Sequence, residues 1–306
     1  AYEMCGRDWS SDVCSSDLKL LDVKILHLES TDACQAACPL CARETDPAFN
    51  KSRQHHLDMY KIMKVFDADR IAELDKMFMC GNYGDPAAGK WTMNIYRTFR
   101  KLNPKIVLGM NTNGALKSSS WWQELATLLN QPQDYVVFSI DGLEDTNHIY
   151  RKNVVWSKLM ENVRAYIDAG GSAHWDMLVY QHNQHQVDAC EQLAKDMGFK
   201  WFRAKVSKRG FTDRLEAPIG WTNPRVIGTK INCHALNERS VYIDAQGNLS
   251  PCCWLGSRQQ DFVTDFESIQ NSWTGIQPEI VCVDACGTTN TETSFSQQWQ
   301  RNIELT

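Results

Sequence analysis

Several sequence features are absent from the chain, and each absence argues against a class of protein. No run of about 18 apolar residues suits a membrane span, and the first thirty positions lack the basic, apolar and small-residue order of a signal peptide. No block of five or six like charges occurs, and 32 basic against 37 acidic residues give a net charge of −5. We therefore expect a soluble cytosolic protein whose partners include neither a membrane nor a nucleic acid.

The length and composition are sufficient for an enzyme. A chain of 306 residues, 43% of them apolar, predicts one large domain or one domain with a smaller appendage. Residues 8–18, DWSSDVCSSDL, resemble one reading frame of a common sequencing-adapter oligonucleotide. We expect residues 1–18 to be a non-native leader, whose cysteines carry no information. The alternative is a genuine leader rich in Ser and Asp.

Short apolar runs alternate with longer amphipathic ones through most of the chain. The short runs predict strands, and the amphipathic segments between them, the first over residues 56–74, predict helices. This α/β alternation indicates parallel βα units, either as an open doubly wound sheet or as a partial barrel, and six units favour the partial barrel. The predicted strands lie within residues 21–31, 76–84, 105–114, 135–142, 172–183 and 200–207.

The pattern changes after residue 210. A stretch with Pro and Gly predicts a linker, and cysteine then returns at high density around a predicted β-hairpin that turns at Gln246-Gly247-Asn248. The polar, weakly patterned end predicts a poorly ordered tail. The predicted divisions are a barrel over 19–210, a linker over 211–230, a cysteine-rich domain over 231–286 and a tail over 287–306.

Three cysteines follow the first predicted strand in the order Cys34-x3-Cys38-x2-Cys41. The carboxyl ends of parallel strands are where the chemistry of such folds takes place. Three thiolates in one loop can ligate three irons of a four-iron, four-sulfur cluster and leave the fourth iron open to a small molecule. The alternatives are a zinc site completed by His55 or His56, and three unrelated buried cysteines.

This cysteine order after a first strand resembles that of the radical S-adenosylmethionine (SAM) enzymes. The resemblance implies a partial (βα)6 barrel of the TIM type, a [4Fe-4S] cluster, SAM on its open iron and an external one-electron reductant. In that family an electron passed through the cluster cleaves SAM, and the resulting 5′-deoxyadenosyl radical abstracts hydrogen from the substrate. The protein places the reactants and excludes water.

Two later segments extend the resemblance. The segment GNYGDP resembles the family's Gly-Gly-Glu-Pro motif, with Asp85 shorter than the family's Glu by one methylene. An N-cap at an ordinary turn is its alternative reading. Ser139 and Arg151 keep the twelve-residue separation found in the peptide-modifying branch, where both bind SAM, and an Arg can bind a carboxylate with both arms of its fork.

Other residues at strand ends match positions that line the SAM pocket in the family. Asn113 and Asn183 have turn formation as an alternative, and Asp141 is expected to hold a turn or a ribose hydroxyl. Leu40 precedes the third cysteine, where the family commonly has an aromatic residue, so only its backbone is expected to meet adenine. The resemblance implies SAM contacts from Leu40, Gly84, Asp85, Asn113, Ser139, Asp141, Arg151 and Asn183.

A second cysteine set lies in the C-terminal part. The order Cys233-x13-Gly247-x4-Cys252 resembles the opening of the family's auxiliary-cluster extension, called SPASM when complete and twitch when shortened. Only Cys282 and Cys286 follow, which favours a twitch domain with one auxiliary [4Fe-4S] cluster held by all four. Zinc in a four-cysteine site is the alternative, and Cys253 is an alternative to Cys252 as ligand.

The resemblance implies a radical SAM oxidoreductase or maturase that abstracts hydrogen from a C–H bond of a peptide or protein. One alternative is a twitch-type dehydrogenase that acts on a small molecule. Another is a zinc-binding interaction protein without enzymatic activity. The sequence singles out no general base.

Overall fold

The computed structural model describes most of the chain in five segments. The predicted leader lies outside the described residues, as do a part of the predicted linker and most of the predicted tail. The described residues are 23–207, 209–222, 230–256, 280–288 and 300–305.

Eleven strands occur in the described segments, and the six predicted strands are all among them. Each predicted apolar run contains its strand, although the strands are shorter than the runs. The strands are β1 (Ile25–Leu28), β2 (Lys76–Met79), β3 (Val107–Thr112), β4 (Tyr135–Ser139), β5 (Ala173–Val179), β6 (Trp201–Val206), β7 (Lys230–Ile231), β8 (Ser240–Ile243), β9 (Leu249–Ser250), β10 (Gly287–Thr288) and β11 (Gln300–Glu304).

Helices connect the strands as predicted, with one difference. The segment 56–74 forms two short helices instead of one, because the Asp67 side chain accepts a hydrogen bond from the Arg70 N–H (3.0 Å) and starts a new helix. In the described segments no helix is long and apolar enough to span a membrane. The helices are α1 (Ala42–Thr45), α2 (Met59–Met63), α3 (Ala68–Ala72), α4 (Thr92–Leu102), α5 (Ser119–Leu128), α6 (Glu144–Tyr150), α7 (Trp156–Asp168), α8 (Val187–Met197), α9 (His234–Asn237), α10 (Cys253–Gly256) and α11 (Ile280–Cys286).

The first six strands lie side by side in chain order, and each pairs in parallel with the next. The hairpin strand β8 pairs in parallel with β1, and β11 pairs antiparallel with β6. The result is a nine-stranded sheet in the order β11-β6-β5-β4-β3-β2-β1-β8-β9. The α/β fold class is therefore confirmed, and the six parallel strands form the open sheet of a partial barrel.

The two ends of this sheet come from the C-terminal part of the chain. The predicted hairpin is confirmed: β8 and β9 are antiparallel, and Gly247 takes the positive φ of +95° that the turn requires. The prediction of a poorly ordered tail is wrong for residues 300–304, which form β11. Residues 300–304 become a strand because they pair with β6, which lies about a hundred residues earlier in the chain. The sequence of residues 300–304 does not by itself predict this pairing.

The two faces of the sheet differ. On β4, Val136 and Phe138 are buried against the helices, and the alternate residues Tyr135, Val137 and Ser139 are half-buried on the opposite side. The same alternation holds along β5 and β6. We call the half-buried side the inner face. Since all six strands run in parallel, their carboxyl ends lie along one edge of the sheet.

A buried carboxyl joins the C-terminal hairpin to the barrel. Glu29, which follows β1 and is 2% exposed, accepts hydrogen bonds from the Tyr83 N–H (2.7 Å) and the Gly84 N–H (3.0 Å). Its other oxygen accepts a hydrogen bond from the hydroxyl of Tyr242 on β8. Burial raises the pKa of Glu29 to about 7, although these three bonds favour the charged form. The hairpin is therefore anchored to β1 by a side chain as well as by strand pairing.

Phe138→Ala tests the core between the sheet and its helices. The Phe138 ring packs against Trp122, Tyr166 and Phe199, with ring centroids 5.3 to 6.2 Å apart. Removing it leaves a cavity, so we expect a loss of about 3–5 kcal/mol in the free energy of unfolding, measured by urea denaturation. Val155→Ala, at a site 61% exposed, should cost less than about 0.5 kcal/mol. Equal losses in the two variants would contradict this packing.

Glu29→Gln tests the titration of the buried carboxyl. A pKa raised from 4.5 to about 7 means that the folded chain holds a proton that the unfolded chain releases. This contribution to stability is complete below about pH 4.5 and is lost as the pH rises through about 7. The Gln side chain keeps an acceptor for both N–H groups. We expect the wild type to lose up to about 3 kcal/mol more unfolding free energy than the variant between pH 5 and 8.

The control for this measurement is Glu144→Gln, which changes an exposed glutamate in the first turn of α6. That variant should keep the pH dependence of the wild type. If Glu29→Gln also keeps it, the carboxyl does not titrate in this range.

Candidate active site at the carboxyl edge of the sheet

The three predicted cluster cysteines lie together in the loop between β1 and α1. Cys38 is buried, and Cys34 and Cys41 are half-buried. Burial first, then the charge of Asp85, and then those of Cys38 and Cys41 raise the pKa of Cys34 to about 12. The three sulfurs are thus close enough to influence one another, as a shared cluster requires.

The Cys34 sulfur meets an amide from the loop after β3. The Asn113 Nδ2 lies 3.6 Å from the Cys34 Sγ, and the Asn113 Oδ1 accepts a hydrogen bond from the Gln35 Nε2 (2.6 Å). Asn113 therefore lies beside a cluster sulfur, where sequence reasoning expected a residue of the SAM pocket. Gln35 was not predicted, because no pattern in the sequence marks a residue that only orients an amide.

The other two cysteines lie near arginines from different loops. The Arg151 Nη1 lies 3.9 Å from the Cys38 Sγ, and this positive charge opposes the rise that burial causes in the pKa of Cys38. The Arg209 Nη1 donates to the carbonyl of Leu40 (3.4 Å), next to Cys41. Arg209 follows β6, and its approach to this loop is a contact through space that the sequence did not reveal.

These contacts test whether the residues fit a [4Fe-4S] cluster. Each of the three cysteines has a nitrogen donor near it, and the donors follow three different elements, β3, α6 and β6. Donors of this kind stabilise negative charge on cluster sulfurs. The half-buried, donor-rich surroundings of Cys34, Cys38 and Cys41 therefore fit the cluster.

The two histidines considered as alternative zinc ligands, His55 and His56, are hydrogen-bonded to other side chains of the protein. The His55 Nδ1 lies 2.7 Å from the Asp32 Oδ2, and the His56 Nδ1 lies 2.9 Å from the Thr31 Oγ1. Within the described ranges, no group of three or more His, Cys, Asp or Glu side chains is arranged to hold a single metal ion.

The loop after β2 approaches the cysteine loop through glycine. A Cβ added to Gly84 would lie 1.8 Å from the Thr31 carbonyl oxygen, so no larger residue fits there without moving the backbone. The Gly84 N–H is already bonded to Glu29. Gly84 therefore allows two strand-end loops to touch, which agrees with its predicted place at the rim.

Asp85 connects this loop to the end of β3. One carboxylate oxygen accepts from the Ala87 N–H (2.9 Å) and the Thr112 hydroxyl (2.8 Å). The other accepts from the Asn113 N–H (2.7 Å) and its Nδ2 (2.6 Å). Asp85 is 5% exposed and caps the short 3-10 turn Pro86–Ala88, which is the alternative role that the sequence left open.

Ser139, Asp141 and Arg151 meet at the carboxyl end of β4. Ser139 is half-buried on the inner face, and the fully buried Asp141 accepts from the Arg151 Nε (2.7 Å) and the Leu178 N–H (2.6 Å). Burial raises the pKa of Asp141, and the charge of Arg151 opposes this shift. The ion pair aims the guanidinium at the cysteine loop.

Asn183 is a structural residue of the same region. Its Nδ2 donates to the carbonyls of Asp141 and Leu178 (both 2.9 Å), and its Oδ1 accepts from the Tyr180 N–H (2.7 Å). The side chain is fully buried and all of its hydrogen-bonding groups are used. This is the turn-forming role that the sequence left open as the alternative to SAM binding.

The second cysteine set lies in three elements of the C-terminal part. Cys233 and Cys252 lie at the starts of α9 and α10, and Cys282 and Cys286 lie within α11. A hydrogen bond to the Cys286 thiol, then burial, raises the pKa of Cys233. Burial first, and then the charges of Cys282 and Cys286, raise the pKa of Cys252.

Cys253 faces a different environment from its neighbour. The groups that raise its pKa are burial, then Cys252, Cys80 and Glu29, and the last two belong to the barrel. Its carbonyl accepts a hydrogen bond from the Asn82 Nδ2 (2.7 Å). The adjacent cysteines thus point to different surroundings, and Cys252 is the one near Cys282 and Cys286.

Comparisons with known proteins identify the family of the chain. A sequence profile of the Radical SAM superfamily matches residues 28–194, more than half of the chain. The tungsten-containing aldehyde ferredoxin oxidoreductase cofactor-modifying protein of Pyrococcus furiosus is 30% identical over 128 residues. That match covers 42% of this chain and 33% of the relative, so the chain matches about a third of that protein's length.

Solved structures share the fold at low sequence identity. Streptococcus suis SuiB bound to its precursor peptide SuiA has a TM-score of 0.56 and 14% identity, over 85% of this chain and 67% of that chain. The protein anSMEcpe with bound AdoMet has a TM-score of 0.54 and 13% identity, over 75% of this chain and 74% of that chain. With the profile match and the cysteine loop, these findings show that the chain is an enzyme of the radical SAM superfamily.

Proposed function

We propose that this enzyme abstracts hydrogen from a C–H bond of a peptide or protein, as an oxidoreductase or a maturase. The observation that carries the proposal is the cysteine loop, in which Cys34 and Cys38 each meet a nitrogen donor from another loop and Arg209 bonds the Leu40 carbonyl beside Cys41. Cys34, Cys38 and Cys41 would hold the [4Fe-4S] cluster. With SAM bound, that cluster supplies a 5′-deoxyadenosyl radical when an external reductant delivers one electron.

The residues at the rim divide into contacts and positioning residues. We assign the SAM contacts to Ser139, Arg151, the backbone of Leu40 and the Gly84 loop, because these groups face the cysteine loop or the inner face. Asp85, Asn113, Asp141 and Asn183 are assigned to positioning, since their hydrogen bonds are made within the chain. Arg151 can bind a carboxylate while its Nε stays bonded to Asp141.

A peptide substrate is supported by relatives of the same fold. SuiB was crystallised with the precursor peptide SuiA, and anSMEcpe with a peptide named Kp18Cys. A small-molecule substrate is the second candidate, and a cavity of about 410 Å³ on the inner face favours it because that volume suits a single compact group.

We further propose that the second cysteine set forms a twitch-type site with one auxiliary [4Fe-4S] cluster, held by Cys233, Cys252, Cys282 and Cys286. Asn82 supports a link between the two sites, because its carbonyl accepts from the Cys41 thiol (3.7 Å) and its Nδ2 donates to the Cys253 carbonyl. Two thiolate clusters require a reducing environment, which supports a cytosolic location.

Release of 5′-deoxyadenosine tests the proposed chemistry. Anaerobically reconstituted protein given dithionite and SAM should release it, and Cys38→Ala should release none above the reagent blank, because one iron loses its thiolate. Liquid chromatography of the quenched reaction measures the product. Cys190→Ala, which removes a buried thiol on α8 outside the cysteine loop, should release as much as the wild type. Equal product from Cys38→Ala would disprove the site assignment.

Iron analysis of two adjacent variants tests the auxiliary site. The reconstituted wild type should bind about eight irons per chain, and Cys252→Ser should lower this to about four by removing an auxiliary ligand. Cys253→Ser should keep about eight, because its thiol lies toward the barrel. One zinc beside about four irons in the wild type would contradict an auxiliary iron-sulfur cluster.

A further inference from the structure

A cavity of about 410 Å³ opens on the inner face of the sheet. Its walls come from β2, β3, β4, β5 and β6, and Asn302 of β11 lies at its side. It is built from side chains of the strands, so its shape is set by the sheet itself. The cavity contains none of the cysteines and none of the rim residues described above.

Aromatic rings form much of the cavity wall. The rings of Tyr135 and His174 are stacked, with centroids 5.4 Å apart and planes 13° apart, and Trp201 lies beyond His174 at 6.4 Å. Burial, then the charges of Lys200, Arg203 and Lys76, lowers the pKa of His174 to about 4, so this ring is neutral near pH 7. A row of flat, uncharged rings favours a planar ligand.

The polar wall has one carboxylate and a surplus of cations. Asp176 accepts from the Arg203 Nε (2.6 Å) and the Lys205 Nζ (2.9 Å). Burial opposes ionisation of Asp176, but these cations hold its pKa below the usual value. Lys76 adds a third cation, with its Nζ 4.9 Å from the Tyr135 ring centroid.

A second acid on this part of the inner face is the exposed Glu304, which pairs with Trp201 across β11 and β6. The cations still exceed the acids. Among the described residues, the terminal Nη atoms of Arg203 have no hydrogen-bond partner, since only its Nε is bonded to Asp176. The two Nη atoms of the planar Arg203 guanidinium are therefore available to bind an anionic ligand.

The cavity lies on the same face of the sheet as the proposed SAM contact Ser139, toward the amino ends of the strands. Ser139, the proposed SAM contact on β4, is the register partner of Asp176 on β5. Asn111 of β3 lines the cavity two residues before Asn113. A ring held beside Tyr135 would lie four residues, about 13 Å, from Ser139, so a substrate anchored there would have to extend along the inner face to reach the strand ends where the radical is formed.

We propose that this cavity binds a planar ring carrying an anionic group, with the ring along Tyr135, His174 and Trp201 and the anion on Arg203. The inference rests on the proposed function, because it makes the bound group a part of the substrate. It deepens that function by naming the substrate's chemistry, an aromatic or heteroaromatic carboxylate or phosphate.

Binding of four small probes to the reconstituted enzyme tests the inference by ligand-observed NMR, without SAM or reductant. Benzoate carries a ring and an anion, benzyl alcohol a neutral ring, benzylamine a ring and a cation, and acetate an anion without a ring. We expect benzoate to bind at least about tenfold more tightly than each of the others, since a charge-assisted hydrogen bond contributes about this factor. Equal affinities for benzoate and benzylamine would overturn the proposal.

Three variants locate the site. Arg203→Met should weaken benzoate at least about tenfold, and Arg203→Lys should weaken it less, because Asp176 keeps a cationic partner. Val137→Phe fills the cavity without touching a charge and should abolish binding. The control Arg97→Met removes an arginine paired with Glu124 on the helical side and should change nothing. Unchanged benzoate affinity in Arg203→Met and Val137→Phe would refute the assignment.

The dipeptide acetyl-Phe-Asp-amide tests whether the natural ligand is a peptide segment or a free small molecule, because it carries a ring and an anion on a peptide backbone. Displacement of benzoate by this compound supports an anionic aromatic peptide segment, and binding of benzoate alone supports a free small molecule. Because these measurements do not involve SAM cleavage, their failure leaves the release of 5′-deoxyadenosine unaffected. Loss of that release would in turn leave benzoate binding intact.

Discussion

Buried carboxyl groups at the strand ends hold the active-site rim together. Glu29 after β1 accepts N–H groups from the loop after β2, and Asp85 after β2 accepts the N–H of Asn113 after β3. Asp141 after β4 accepts an N–H from β5. A buried carboxyl is costly unless it is hydrogen-bonded, so each of these groups forces its loop against the next one. These hydrogen bonds link neighbouring strand ends along the carboxyl edge of the sheet.

The groups that meet the cluster sulfurs depend on this arrangement. Asn113 reaches Cys34 while its own amide is bonded to Asp85, and Arg151 reaches Cys38 while its Nε is bonded to Asp141. The carboxylate of Asp85 therefore orients the Asn113 amide, and the carboxylate of Asp141 orients the Arg151 guanidinium. The Asp85 side chain bonds Thr112 and Asn113 at the end of β3, while its N–H donates to the Ala33 carbonyl of the cysteine loop (2.9 Å).

The strands and the cysteine loop could be predicted because their signals are local. An apolar run predicts a strand wherever it occurs, and Cys34, Cys38 and Cys41 lie within eight residues. The roles of Glu29, Gln35 and Arg209 could not be predicted, since each depends on a contact between segments remote in the chain. The same reason applies to β11, whose polar sequence becomes a strand only beside β6. Asn183 differs from these residues because its contacts with Tyr180 and Leu178 are local: its side chain bonds both and holds the turn after β5.

The two cysteine sets are coupled through the way the hairpin meets β1. Parallel pairing of β8 with β1 fixes the direction of the hairpin, and the bond from Tyr242 to Glu29 fixes its side chains. Cys253 then lies against the barrel, and its carbonyl accepts a hydrogen bond from the Asn82 Nδ2 (2.7 Å). The Asn82 carbonyl in turn accepts from the Cys41 thiol (3.7 Å). Asn82 therefore links the hairpin region to the cysteine loop of the barrel.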